Sequence, residues 1–276
     1  MHTITDRRCA WDRCRRAGPA VLSLLSGLLR LGRPDSVASL LDDGCGAGAL
    51  LRELAAWPFL DLDLAGIDPS ASMLRRATAA LSGLPVPLAQ ADMAHLPFPP
   101  ASFDAVVCVH SLHRCHALEP SPALRLSARR AALAEAARVL RRGGILVVIQ
   151  SDIRQEEADP LWSRYFPAAL KYKRAIRPRS RDIQRWMGEA GVPLQGLKPF
   201  HDHLARPLFR PELALDDAFL TLFSEFAFLG EEAIAEGRDQ LRRDQESGRL
   251  AAVLEESLRR YERLGGNLTA HWGRRR

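Results

Sequence analysis

Residues 40–51 read LLDDGCGAGALL. Two leucines run into paired aspartates, then into a turn with glycine at 44, 46 and 48, then into further leucines. A strand that ends in a glycine turn and continues as a helix is the first half of a ligand-binding βαβ unit. The glycines let backbone approach the ligand closely, and in most such turns the ligand is a phosphate. Asp42 and Asp43 stand where a pyrophosphate would rest, and like charges at close range in a cleft repel each other. The stretch therefore calls for a ligand that fits a glycine cradle and favours anionic walls.

The same alternation continues outward. Strands are expected at 37–43, 62–68, 86–92, 103–111 and 144–151. Helices are expected at 5–31, where Pro34 ends the element, and at 47–57, 69–81 and 127–142. Pro69 and Ser70 are residue types that favour a helix start, and Gly143 and Gly144 are suited to stopping one. The strands read as near-continuous apolar runs, the pattern of a parallel sheet covered on both faces. Further along, residues 180–192 predict a helix, 194–204 a sixth strand, 212–264 two or three helices and 267–273 a final strand. The fold class is α/β: a Rossmann-like, doubly wound, mainly parallel seven-stranded sheet with helices on both faces, plus helical lid elements. The expected organisation is an N-terminal helical cap over 1–34, a binding core over 35–150, and the remainder of the fold with a helical lid insertion over 151–276, all within one domain.

Taken alone, Gly44–Gly46–Ala49 fits the dinucleotide pattern. Asp68, at the end of the second strand, lies where an acid would hold ribose hydroxyls. A nicotinamide or flavin oxidoreductase is one reading. S-adenosylmethionine is another: it has ribose hydroxyls, an ammonium and a sulfonium, and no phosphate. Its positive end suits Asp42 and Asp43.

Four stretches, LLDDGCGAG, GIDPSASML, AQADMAHLPFPPASFDAVVCVHSLH and EAARVLRRGGILVVI, resemble in order and spacing the successive motifs of class I S-adenosylmethionine-dependent methyltransferases. The small-molecule group that includes the ubiquinone and menaquinone C-methyltransferases is the most similar. The resemblance spans about residues 37–150. It implies that Asp42, Gly44, Cys45, Gly46 and Gly48 surround the methionine moiety and that Asp68 binds the ribose. It also places Pro69 and Met73 near the adenosine, Asp92 as acceptor from the adenine amino group with Met93 on the ring edge, and Val109 and His110 beside the sulfonium. Asp43 departs from the family pattern, which has an apolar residue there; it is expected to reach the ligand ammonium, pair with an arginine or touch substrate.

Methyl transfer from a sulfonium is an in-line displacement with a neutral leaving group, so alignment can supply much of the acceleration. A base is needed only if the acceptor must lose a proton. In HSLHRCH, residues 110–116, His113 is the candidate base. The spacing of His110, His113, Cys115 and His116 matches no recurring zinc pattern, and no metal is expected. The place after the fourth strand reads VHSL, which lacks the motif of nucleobase amino-methylating enzymes.

Composition bounds the remainder. The chain has 276 residues, 47% of them apolar, with a net charge of +6. Basic character raises the prospect of nucleic acid, and the KYKRAIRPRSR stretch at 171–181 is either an anion contact or a solvated helix start. Trp11, Trp162, Tyr165, Phe166 and Trp186 either line an apolar acceptor pocket or belong to the core. The odd set of five cysteines implies no disulfide framework, hence a reducing, cytoplasmic setting. The apolar run at 21–29 is too short to span a bilayer, so no membrane partner is expected. The sequence thus points to S-adenosylmethionine-dependent methyl transfer to a small molecule. The alternatives are an RNA-directed methyltransferase, a non-catalytic S-adenosylmethionine-binding protein and a NAD-dependent oxidoreductase.

Overall fold

The structure is a computed structural model that describes residues 18–31, 37–57, 61–117, 119–202, 210–220 and 223–276. Strand β1 (Ser39–Asp43) is buried at every position, as a strand flanked on both edges and covered on both faces must be. It pairs in parallel with β2 (Asp63–Asp68) on one edge and β4 (Phe103–Val109) on the other. Outside these lie β3 (Leu88–Gln90), parallel to β2, and β5 (Leu140–Gln150), parallel to β4. With β6 (Leu194–Phe200) and β7 (Leu268–Arg274), the seven-stranded sheet has the order β3-β2-β1-β4-β5-β7-β6. β7 runs antiparallel to β5.

Side-chain alternation sorts the strands onto two faces. On one, Leu41, Ile67, Val106, Cys108, Leu146 and Val148 form a continuous core with two helices. Those helices are Pro122–Val139, through Leu133 and Ala136, and Ser180–Glu189, through Ile183 and Met187. On the other face Gly66 leaves room for Leu51, whose Cδ1 would lie 2.6 Å from an added Cβ. In chain order the helices are α1 (Pro19–Leu29), α2 (Ala49–Ala55), α3 (Ala71–Ala80), α4 (Pro122–Val139), α5 (Ile153–Ala158), α6 (Pro167–Ile176), α7 (Ser180–Glu189), α8 (Asp217–Leu220), α9 (Glu231–Glu246) and α10 (Arg249–Leu264).

The expected elements are found, with β3 shortened to Leu88–Gln90, β4 ending at Val109, and two larger shifts. Helix α4 begins at Pro122, with Leu124 N donating to Ser121 Oγ, and ends at Val139 rather than at 142. Residues 140–144 join β5 because Gly143 N donates to Arg275 O (2.8 Å) and Arg275 N to Gly144 O (2.9 Å). Pairing with residues more than a hundred positions away overrides the local helix signal. The expected 5–31 helix is described only over Pro19–Leu29; its first part and Trp11 lie outside the described residues.

Two compact units emerge. The sheet unit comprises Pro19–Gln150, Pro178–Lys198 and Thr269–Arg276; the second is built from Ser151–Arg177 and Pro199–Leu268 together with Gly18. This partition cuts across the expected 1–34, 35–150 and 151–276 segments, since α1, α7 and most of β7 belong with the sheet. In the second unit Trp162, Tyr165, Phe166, Phe219, Phe226 and Leu241 form a core of their own. Trp162 and Phe166 both pack on Phe226, with ring centroids 5.3 and 4.9 Å away. Three of the aromatics considered for an acceptor pocket are thus core residues here, and Trp186 is a core residue of the sheet unit.

The stretch 171–181 is only partly solvated. Lys173 is buried, with Nζ 3.0 Å from both Glu156 and Glu225 and 4.1 Å from the Trp162 ring centre. Arg177 is held by Glu156 at 2.7 Å. Burial alone would raise the Glu156 carboxyl, but Arg177 and Lys173 outweigh it and bring it down to about 2. Among the described residues, no helix is long and apolar enough to cross a membrane.

Candidate functional site

The parallel registers bring the carboxyl ends of the strands to one edge: Asp43 pairs with Ile67, Asp68 with Gln90 and Val109 with Ile149. Ligands of open α/β sheets bind at this edge. Residues 44–48 turn across it. Gly44 N and Cys45 N both donate to Ile67 O, at 3.0 and 2.8 Å. Gly44 has φ 88°, and a Cβ there would meet Ser111 Cβ at 2.3 Å. Two independent constraints therefore demand glycine at position 44: a left-handed backbone and a close approach by the β4 loop. Gly48 (φ 77°) precedes α2 and packs on Ala77 of α3.

Asp68 is fixed from both sides. Its Oδ2 accepts from Gly46 N at 3.0 Å and its Oδ1 from Ser70 N at 2.9 Å. The half-buried carboxylate thereby ties the glycine turn to the start of α3, where Ser70 caps Met73 N. Met73 is half-buried and Pro69 exposed.

Asp42 and Asp43 point to opposite faces of the sheet. Asp42 shares the face of Gly66 and Asp43 that of Ile67. Both are buried. Burial, reinforced by Asp68, pushes the Asp42 carboxyl up to about 7. Burial, reinforced by Asp42, pushes the Asp43 carboxyl well above its ordinary value. Asp43 Oδ2 lies 3.8 Å from the Cys108 thiol, and Oδ1 has no hydrogen-bond partner among the described residues. The two acids therefore differ in setting: Asp42 titrates near neutrality, whereas Asp43 lies on the opposite face beside the Cys108 thiol. Burial also raises the thiol of Cys45, with help from Asp42 and Asp68, which suits a small packed residue rather than a nucleophile.

Asp92 follows β3. Its Oδ1 accepts from Ala94 N at 2.8 Å, and its Oδ2 lies 2.8 Å from His116 Nε2. Met93 is buried in the sheet core. After β4 the chain turns sharply at His110 (φ 54°), whose N donates to Ile149 O at 2.8 Å. Val109 is half-buried and His110 exposed, but His113 is only 2% exposed, its carbonyl accepting from Arg129 Nη2 at 3.2 Å. The candidate base thus sits beneath the 110–116 turn rather than on its open side.

Three side-chain roles are not legible in the sequence. Ser111 donates to Asp43 O at 2.6 Å and closes over Gly44. His116 holds Asp92. Gln150, at the end of β5 beside Val109, is buried, and neither amide atom has a partner among the described residues. A lone serine or a polar residue ending an apolar strand gives no signal of this kind; each role arises from long-range pairing.

The seven-stranded, mainly parallel sheet of this order is a Rossmann-like fold. Residues 41–148 match the family model described as "Methyltransferase domain". A curated relative, the "Uncharacterized methyltransferase YodH" of Bacillus subtilis (strain 168), is 28% identical over 141 residues, covering 50% of this chain and 54% of that protein. The chain thus spans about half the length of the curated relative it matches. Among solved structures, a candidate methyltransferase from an antibiotic biosynthesis pathway of Anabaena variabilis ATCC 29413 is similar over 95% of this chain and 99% of that one, with TM-score 0.69 and 21% identity. The (4+2)-cyclase SpnF is similar over 93% and 80%, with TM-score 0.57 and 18% identity. These two likenesses concern the fold.

Proposed function

We propose that this protein transfers the methyl group of S-adenosylmethionine to a small-molecule acceptor. One observation carries the choice of cofactor: Asp42 is buried beneath the glycine turn with its carboxyl raised to about 7. A pyrophosphate at that turn would raise it further, whereas an ammonium would pull it down and gain from its charge. Asp42 and the backbone of Gly44, Cys45, Gly46 and Gly48 then surround the methionine end. Asp68 takes the ribose hydroxyls, with Pro69 and Met73 beside the adenosine. Asp92 accepts from the adenine amino group, and Met93 supports the ring edge from the core. Asp43, on the opposite face of β1 from Asp42, sets the local polarity.

S-adenosylmethionine supplies a methyl group on a sulfonium, activated for displacement. The chain's part is to hold that methyl beside Val109 and His110 and to admit the acceptor in line. Gln150 presents an unsatisfied amide next to this point and is suited to a polar group of the acceptor. His113, buried, takes an acceptor proton only if the turn above it opens. An RNA acceptor is less well served, because Lys173 and Arg177 are committed to Glu156 and Glu225.

Calorimetry with S-adenosylhomocysteine and with NADH tests the cofactor. Binding of the first and not the second is expected; the reverse overturns the reading. SpnF shows that this fold also accompanies other chemistry, so transfer itself is read with methyl-labelled cofactor and a metabolite extract. Label must move to a small product, and absence of transfer despite tight cofactor binding would leave a binding protein. His113→Ala should lower turnover more than cofactor affinity. Intact turnover would show that alignment alone suffices.

A further inference from the structure

Sequence spacing around His113 gives no zinc pattern, but folding adds a donor from another loop. Asp92, after β3, meets Cys115 and His116, after β4. The candidate ligand atoms of these three side chains all lie within 4.8 Å of one another. His116 Nε2 and Asp92 Oδ2 are already 2.8 Å apart.

The surroundings hold each donor in place. His116 adopts a left-handed backbone, φ 49°, uncommon for a residue with a Cβ. It is kept there by Ala117 N donating to Arg114 O (3.0 Å) and Glu119 N to His116 O (3.1 Å). The second oxygen of Asp92 is occupied by Ala94 N at 2.8 Å, the outer-shell support that orients a ligating carboxylate. Cys115 packs in the sheet core and forms the floor, while the side chains of Asp92 and His116, 37% and 41% exposed, form the open side. Zinc–sulfur and zinc–nitrogen or zinc–oxygen bonds of about 2.3 and 2.0–2.2 Å place tetrahedral ligands roughly 3.3–3.6 Å apart. The observed separations, from 2.8 Å for His116 and Asp92 up to no more than 4.8 Å, bracket that spacing. One thiol, one imidazole and one carboxylate together favour zinc over magnesium or calcium.

We propose that Asp92, Cys115 and His116 form a binding site for zinc or a similar borderline-soft divalent ion, with the fourth position open to solvent. The ion engages the carboxylate assigned above to the adenine amino group, so zinc and cofactor compete. This second part rests on the cofactor reading.

The test uses the full chain, stripped with chelator, with cobalt(II) as the optical probe and zinc by calorimetry. A thiolate-to-cobalt charge-transfer band saturating at one ion per chain is expected, and Cys115→Ser should abolish it while leaving Cys45 and Cys108 in place. Removing a direct ligand should weaken zinc at least as much as losing an outer-shell partner, about tenfold or more, in both Cys115→Ser and His116→Gln. The exposed His116→Gln guards against a folding defect at the buried thiol. No band, a band that survives Cys115→Ser, or zinc affinity unchanged in both variants overturns the site. Affinity for S-adenosylhomocysteine should fall when zinc is added. If it holds while the cobalt band is present, the metal site stands and the adenine role of Asp92 is overturned.

Discussion

Replacing Asp42 by asparagine should make the ligand-free protein more stable and the cofactor bind more weakly. Burial and Asp68 raise the folded-state carboxyl from 3.8 to about 7. Between those values the folded protein keeps a proton that the unfolded chain has released, so stability falls as pH rises. The stabilising effect of the proton is fully present below about pH 4 and lost as pH climbs through about 7. At about 1.4 kcal/mol per tenfold change in proton activity, the window amounts to about 4 kcal/mol. Asp42→Asn keeps the volume and removes the ionisation. Its stability advantage over the native protein should be near zero at pH 4 and grow to about 4 kcal/mol at pH 8. Urea unfolding of both ligand-free proteins across that range, with equal slopes, reads the difference directly. Saturating S-adenosylhomocysteine should narrow the gap at pH 8, because its ammonium favours the carboxylate that the variant lacks. A gap that does not change with pH would show that Asp42 bears no ionisation cost. A variant that binds the product as tightly as the native protein would remove the carboxylate from cofactor recognition.

Asp68→Ala removes acceptors for ribose hydroxyls, and hydrogen bonds to a charged group are worth about 1.5–3 kcal/mol. Calorimetry should show product affinity lower by about 10- to 100-fold; no change would mean the pocket lies elsewhere. Gly44→Ala and Gly46→Ala form an internal comparison, since both positions are left-handed but only the first meets a neighbour, Ser111 Cβ at 2.3 Å. Urea unfolding should give a loss of about 1 kcal/mol at 46 and a clearly larger loss at 44; equal losses would mean that the β4 loop gives way. Lys173→Met leaves Glu156 and Glu225 buried without their shared cation and should cost about 3–5 kcal/mol at pH 7. The stability Glu156 supplies is present above 4.5 and lost as pH falls through about 2, so in melting experiments the deficit should shrink between pH 4.5 and 2.

What the sequence reveals here is whatever is decided locally or by continuous burial. β1, β2 and β4 stand out because a strand buried on both faces has few places for polar residues, and the glycine turn is visible because its backbone excludes other residues. Asp68 follows from its place at a strand end. The start of β5 is not visible: Leu140–Gly144 looks like a helix terminus until Arg275 pairs with it. The burial of Lys173 is equally hidden, because its partners Glu156 and Glu225 lie on either side of it in the chain. His113 looks like a pocket residue by position, yet the turn that exposes His110 carries His113 inward. The meeting of Asp92 with Cys115 and His116 depends on how two loops leave neighbouring ends of the sheet, which no spacing within either loop encodes.

The strand order has a bearing on biosynthesis. β1 to β5 come together from the first 150 residues, but the inner seat between β5 and β6 is filled by 268–274. Until the ribosome has delivered that segment, the backbone of β5 presents an open, strongly apolar border able to recruit a stray strand from another chain. The residues that separate β6 from β7 in the chain thus set a waiting time before that border is closed.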